Sequence, residues 1–253
     1  MSPSILIAIV LSSLIGLSLG LLGGGGSILT VPILIYALGV EEKAAIASSL
    51  LVVAVTSAIA AVQHARANNV VWRVAFVFAG AGMVGAFVGG QSAQFVAASV
   101  LLVLFALVMF GAAFAMWRGR KATTATEEAL PLSKMLMLGV VVGLVSGLVG
   151  AGGGFVIVPA LALSGGLSMP KAVGSSLVVI ALNSFAGFAG AAAHVTLDYR
   201  LIALVTTSAV VGSFFGAAIA KRVAPKRVRK GFAIFVFVMA VFLLFKQAQA
   251  FFV

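Results

Sequence analysis

The stretch GLLGGGGSILTVPIL, Gly20 to Leu34, sets four consecutive glycines inside an otherwise apolar run. Glycine costs about 1 kcal/mol relative to alanine in a helix interior, so four in succession predict a helix that opens between Gly23 and Gly26. The chain repeats the device in GLVGAGGGFVIVPAL, Gly147 to Leu161. Around these stretches the composition is 63% hydrophobic and 8% charged, with mean hydropathy +1.28. Soluble domains are only about half apolar, so this is the composition of an integral membrane protein. Apolar runs at 43–63, 71–91, 96–117, 171–193, 199–220 and 228–246 each approach the roughly 20 residues that cross the hydrocarbon as a helix. Two longer tracts, 5–38 and 132–164, hold the glycines and exceed one ordinary span. Backbone opened at membrane depth must find partners in protein, water or a ligand, so the glycines imply a cavity.

Sliding the chain against itself by 127 residues aligns Gly16 with Gly143, Gly20 with Gly147, Gly23 with Gly150 and Pro32 with Pro159. The same offset places Ser48-Ser49-Leu50 on Ser175-Ser176-Leu177, Arg73 on Arg200, and Gly85 and Gly89 on Gly212 and Gly216. One offset held over such a length marks an internal duplication. The charged, threonine-containing segment between the copies reads as a solvated linker.

Lysine and arginine choose between the two ways of stacking the copies, because they collect on the cytoplasmic side. If each glycine tract crosses once, the copies are parallel and the cations divide eight against eight. If each tract turns back at its glycines, the copies are inverted. Arg66, Arg73, Arg118, Arg120, Lys121, Lys134, Lys171 and the six from Lys221 to Lys230 then share one side, thirteen against Lys43, Arg200 and Lys246. The expectation is therefore an all-α polytopic membrane protein of two homologous, inverted repeats, 1–117 and 132–253, joined by a linker at 118–131. Each repeat has a glycine-broken or re-entrant first helix followed by three transmembrane helices. Such duplications occur in secondary transporters, with substrate held near the midplane between the repeats.

After each break a half-helix can restart, with Ser27 near one N-cap and Gly154 at the other start. Free N–H groups and the positive end of the helix dipole suit an anion. The candidate substrate-binding residues are Gly23, Gly24, Gly25, Gly26 and Ser27 in the first tract and Gly150, Gly152, Gly153 and Gly154 in the second. Inside the spans, Ser48, Ser49, Thr56, Ser175, Ser176, Asn183 and Ser184 add hydroxyl and amide groups, which bind an oxyanion without a trapping charge. Each has a blander reading, since a membrane serine commonly bonds back to its own helix. The spaced pairs Gly16/Gly20, Gly85/Gly89 and Gly212/Gly216 read as helix-packing contacts.

The five acids, Glu41, Glu42, Glu127, Glu128 and Asp198, sit at span ends or in the linker. None is placed mid-span to carry a coupling ion. An anion leaving a cell that is negative inside gains about 2.3 kcal/mol per 100 mV, so export needs no such acid. His64 and His194, at span ends, read first as interfacial anchors and second as proton-sensing groups. There is no cysteine, which excludes disulfides, thiolate metal sites and persulfide chemistry. No metal or cofactor is expected, and the net charge of +11 is assigned to basic loops at a lipid bilayer rather than to nucleic acid. The opening MSPSILIAIV lacks the basic region of a cleaved signal and is expected to belong to the folded protein.

The doubled tracts, each followed by Ser-Ser-Leu within a helix, resemble the sulfite exporter TauE/SafE family. The resemblance covers the chain from about Gly16 to Gly216. It implies a multi-pass permease of the bacterial cytoplasmic membrane that exports sulfite, sulfonates or related organosulfur anions. It also implies that the glycine tracts and serine pairs bind the cargo. The second tract, with Ala151 inside it, departs from the first, so the half-sites need not be equivalent. Two readings within the membrane class stay open beside it: a permease for another small anion, and a scaffold without transport. A third, an intramembrane protease, rests on Gly16-Leu17-Ser18-Leu19-Gly20 matching G-x-S-x-G. It is weakened because that serine lies in an apolar helix and moves to Ser146 in the second copy.

Overall fold

The computed structural model describes residues 3–22, 26–118, 132–150, 152–164, 167–220 and 225–251. Gly23, Gly24 and Gly25, and the expected linker apart from Arg118, lie outside these residues. Among the described residues every regular element is helical. α1 (Pro3–Leu22) precedes the first glycine run and α2 (Gly26–Pro32) follows it. The first half continues with α3 (Glu42–Arg66), α4 (Trp72–Ser92) and α5 (Ala98–Arg118). The second half repeats the order as α6 (Leu132–Val149), α7 (Gly154–Pro159), α8 (Met169–Ala191), α9 (Tyr199–Ala220) and α10 (Pro225–Phe251).

Local chemistry sets the element ends. Glu41 caps α3, its carboxylate accepting from the N–H groups of Lys43 at 3.2 Å and Ala44 at 3.0 Å. Asp198 caps α9 in the same way, accepting from Arg200 at 3.0 Å and Leu201 at 3.1 Å. These two acids thus serve helix starts. Pro32 and Pro159 are each followed by a π-helical turn, Ile33–Ala37 and Ala160–Ser164. Proline brings no N–H and crowds the preceding carbonyl, and a widened turn accommodates both. With those turns, α2 and α7 extend for about 17 Å, roughly half a bilayer.

Six described helices, α3, α4, α5, α6, α8 and α9, are long and apolar enough to cross a membrane, and α10 contributes the apolar stretch Ala233–Gln249. The chain is a multi-pass membrane protein. α3 and α8 are its centre: 72% and 61% of their most apolar windows are buried, against 39–44% in the other four.

α3 and α8 pack antiparallel. At one end Lys43 Nζ donates to the Gln94 carbonyl (2.9 Å) while Gln94 Nε2 meets His194 Nε2 (3.2 Å), joining the start of α3 to the ends of α4 and α8. At the other end the Val71 N–H, just before α4, donates to Ser175 Oγ at 2.9 Å, near the start of α8. The flanking helices pack in exchanged seams. Gly16 and Gly20 of α1 lie on the backbone of Ala209 and Ser213 in α9, whereas Gly143 and Gly147 of α6 lie on Gly82 and Ala86 in α4. Adding 127 to one member of each contact, and subtracting it from the other, converts the first seam into the second. Gly85 and Gly89 face Val140 and Leu144, and Gly212 and Gly216 face Ser13 and Leu17, so the spaced glycines are the packing contacts expected of them.

α6 runs parallel to α4, so it starts at the α8-start end of the bundle and finishes near Ile46 at the opposite end. The chain then returns through α7 to reach Met169. The second glycine tract therefore doubles back and begins and ends at one end of the bundle. In the first tract, Gly26 lies against Ile15 and Leu19, folding α2 back along α1.

Candidate functional site

Three residues make the turn between α6 and α7 possible. Gly150, Gly152 and Gly153 have φ of +73°, +60° and +68°, a left-handed geometry in which a Cβ costs about 1–2 kcal/mol. The Gly150 N–H closes α6 on the Ser146 carbonyl at 3.1 Å. The Gly153 carbonyl opens α7, accepting from Val156 at 2.9 Å and Ile157 at 2.8 Å.

The turn drops into the middle of the bundle. Gly150 rests on Ile46, one turn into α3, and the Ser49 hydroxyl faces two carbonyls, that of Ile46 at 2.7 Å and that of Gly150. Gly152 sits between Val53, Ile180 and Ser184, at the midpoints of the two central helices. A Cβ built on Gly152 would fall 2.6 Å from Ser184 Oγ and 2.6 Å from Val53 Cγ1. Gly153 lies over Ser146.

Around this turn stand polar groups with no partner. The hydroxyls of Ser146 and Ser184, and both polar atoms of the Asn183 amide, are buried and make no hydrogen bond. Asn183 projects towards Gly82 of α4, where a Cβ would meet the amide nitrogen at 2.5 Å and the oxygen at 2.6 Å. Ser57, the repeat counterpart of Ser184, is likewise buried and unpartnered on α3. Each such group costs about 1–3 kcal/mol, and several gathered within one membrane interior require a reason. Together these side chains offer uncharged O–H and N–H donors in a low-dielectric interior, a donor set matched to a dehydrated oxyanion.

The residues expected from sequence fall into two groups. Gly150, Gly152, Gly153 and Ser49 lie in or beside the turn, Gly154 starts α7, and Asn183 faces Gly82 of α4. The others stand apart. Ser176 and Thr56 bond their own helices, Ser176 to Val173 at 2.8 Å and Thr56 to Val52 at 2.7 Å and Val53 at 3.2 Å. Ser175 ties α8 to the start of α4. Ser48 is buried on α3, and Gly26 and Ser27 are buried in the first turn of α2. Ser27 is thus the second residue of α2, near its start. Gly23, Gly24 and Gly25 lie outside the described residues. Ser184, expected beside Asn183, lies at the turn, whereas Ser57 and Ser146 were not among the expected binding residues. The signal that finds Ser57 is the repeat offset, which joins it to Ser184 as it joins Thr56 to Asn183.

The sequence matches the family described as "Sulfite exporter TauE/SafE" over residues 8–243. It is 31% identical over 251 residues to a "Probable membrane transporter protein" of Xylella fastidiosa (strain 9a5c), covering 96% of each chain. A protein of the same description from Methanocaldococcus jannaschii is 28% identical, covering 93% of this chain and 94% of the relative. YdhB of Bacillus subtilis, also described as a probable membrane transporter, is 27% identical over 84% of this chain and 89% of its own. No solved structure matches the chain. The chain belongs to the sulfite exporter TauE/SafE family.

Proposed function

We propose that this family member exports a small oxyanion, sulfite or a short sulfonate, across a bacterial cytoplasmic membrane by alternating access between two inverted repeats. The observation that carries the proposal is the pair of buried, unpartnered hydroxyls, Ser146 and Ser184, beside the left-handed turn Gly150–Gly153, with the unpartnered Asn183 amide next to Ser184 on α8. An oxyanion there accepts the hydrogen bonds these groups otherwise forgo, and its transit leaves no fixed charge behind. The antiparallel run of α3 and α8 and the exchanged seams support inversion, since parallel copies would place equivalent helices in the same direction. By the same relation Ser57 belongs with the first glycine tract as the second half-site. The imbalance of basic residues supports an orientation with Lys43, Arg200 and Lys246 outside.

The test is efflux of radiolabelled sulfite from proteoliposomes at a set potential, comparing the native protein with Ser184→Ala and Asn183→Ala. Loss of at least tenfold in rate with intact folding is expected. Unchanged rates in both variants would remove the site from the mechanism.

A further inference from the structure

A second polar feature lies apart from the glycine turn, at the end of the bundle where α3 begins. A cavity of about 230 Å³ opens there between the start of α3 and the short 3₁₀ turns that finish α4 and α8. Lys43, Gln94 and His194 supply its polar groups, Ala93 and Ala191 its walls, and Ile46 its floor. We propose that this cavity is an anion vestibule, a second binding site through which the cargo passes on the far side of Ile46 from the glycine turn.

Four observations converge on it. Lys43 is pinned rather than free, since one ammonium hydrogen goes to the Gln94 carbonyl at 2.9 Å. The remaining two stay available at the cavity. Among the described residues no ion pair joins Lys43 to either adjacent acid, Glu41 or Glu42, and the Glu41 carboxylate accepts from the backbone at the start of α3. Among the described residues no carboxylate lines the space. The Gln94 amide also holds the histidine, donating to the Gln91 carbonyl at 3.1 Å and meeting His194 Nε2 at 3.2 Å. In the tautomer whose Nε2 accepts from that amide, Nδ1 is the ring's donor nitrogen.

The cavity is also adjacent to the interior site. Ile46 is 2% exposed, and a Cβ on Gly150 would lie 2.6 Å from its Cγ2, so this side chain stands between vestibule and turn. The repeat counterparts of Lys43 and His194 are Pro170 and Ala67, so the offset does not duplicate this pair. The pinned Lys43 ammonium, with the polar groups of Gln94 and His194 beside it, favours an anion at this mouth. The proposal takes its cargo from the transport reading above, but its test does not depend on flux.

The chain has no cysteine, so Ala93→Cys and Ala191→Cys each place one reporter thiol in the wall. Protein in lipid nanodiscs is treated with anionic 2-sulfonatoethyl methanethiosulfonate or its cationic trimethylammonium analogue, each rate being normalised to that of a free thiol. The anionic reagent should react at least about tenfold faster, the lower end of electrostatic focusing in a charged cleft. Adding Lys43→Gln or His194→Gln should reduce that preference, and methanesulfonate should slow labelling severalfold. Equal normalised rates for the two reagents, a preference untouched by both substitutions, or no protection by methanesulfonate would overturn the vestibule. Selective, protected labelling without sulfite flux would keep the vestibule and remove the transport reading. Flux with unselective labelling would do the reverse.

Discussion

Replacing Gly152 with alanine adds one methyl group at the point where the turn is most constrained. Two independent costs can be assigned. The residue holds φ +60°, which penalises any L side chain by about 1–2 kcal/mol. The new Cβ would also stand 2.6 Å from both Val53 Cγ1 and Ser184 Oγ, with Ile180 Cγ2 at 3.2 Å. The serine hydroxyl can rotate away, but Val53 and Ile180 are fully buried at the centre of α3 and α8. Overpacking of that kind costs about 1–3 kcal/mol, for a total of about 2–5 kcal/mol. The control is Gly111→Ala in α5, at a position with an ordinary helical φ and nothing within 4 Å of the added carbon. It should stabilise by up to about 1 kcal/mol through helix propensity. Equilibrium unfolding in detergent compares the two, with sulfite efflux measured alongside. A Gly152→Ala protein as stable and as active as its Gly111→Ala counterpart would refute the account of a tight, functional turn.

Four other outcomes are expected. Ser184→Ala should leave stability unchanged or raise it by about 1–3 kcal/mol, because it deletes an unsatisfied group, while efflux falls at least tenfold; a loss of both would mark a structural role. Gly16→Ala and Gly143→Ala should destabilise to a similar degree, about 1–3 kcal/mol each, in the same unfolding assay. A large effect at one and none at the other would contradict the exchanged seams. A steady gradient of a monovalent anion should shift about fiftyfold per 100 mV, the concentration ratio equivalent to 2.3 kcal/mol, as read by labelled methanesulfonate at equilibrium. Glu41→Ala should cost about 1 kcal/mol through the lost cap of α3, measured by unfolding.

Much of the architecture was legible because membrane helices obey composition and length. The run at 43–63 became Glu42–Arg66 and that at 171–193 became Met169–Ala191, each end shifting by a few residues where a cap or a proline takes over. The break in the second tract was legible for a different reason: glycine adopts left-handed backbone at least cost, and Gly150, Gly152 and Gly153 all take it. What the chain could not announce was which serines keep their hydroxyls free. Ser49, Ser176 and Thr56 look like donors in sequence, yet their own helices supply a carbonyl three or four residues back. Ser57, Ser146 and Ser184 have no such bond. That difference depends on side-chain rotamer and on neighbours over a hundred positions away, neither of which a pattern of residue types records. The vestibule was hidden for a related reason: Lys43, Gln94 and His194 are far apart along the chain and meet only because α3, α4 and α8 share an end.

The exchanged seams bear on how the protein is made. α1 leaves the ribosome 193 residues before Ala209, the position on which Gly16 rests, has been synthesised. Until then its glycine-lined stripe has only lipid beside it, and the early helices must wait in the bilayer for a late partner. Synthesis of the first half alone should therefore give a loose, protease-sensitive product. Supplying the second half as a separate polypeptide should restore compactness, since each fragment carries the surface that the other lacks.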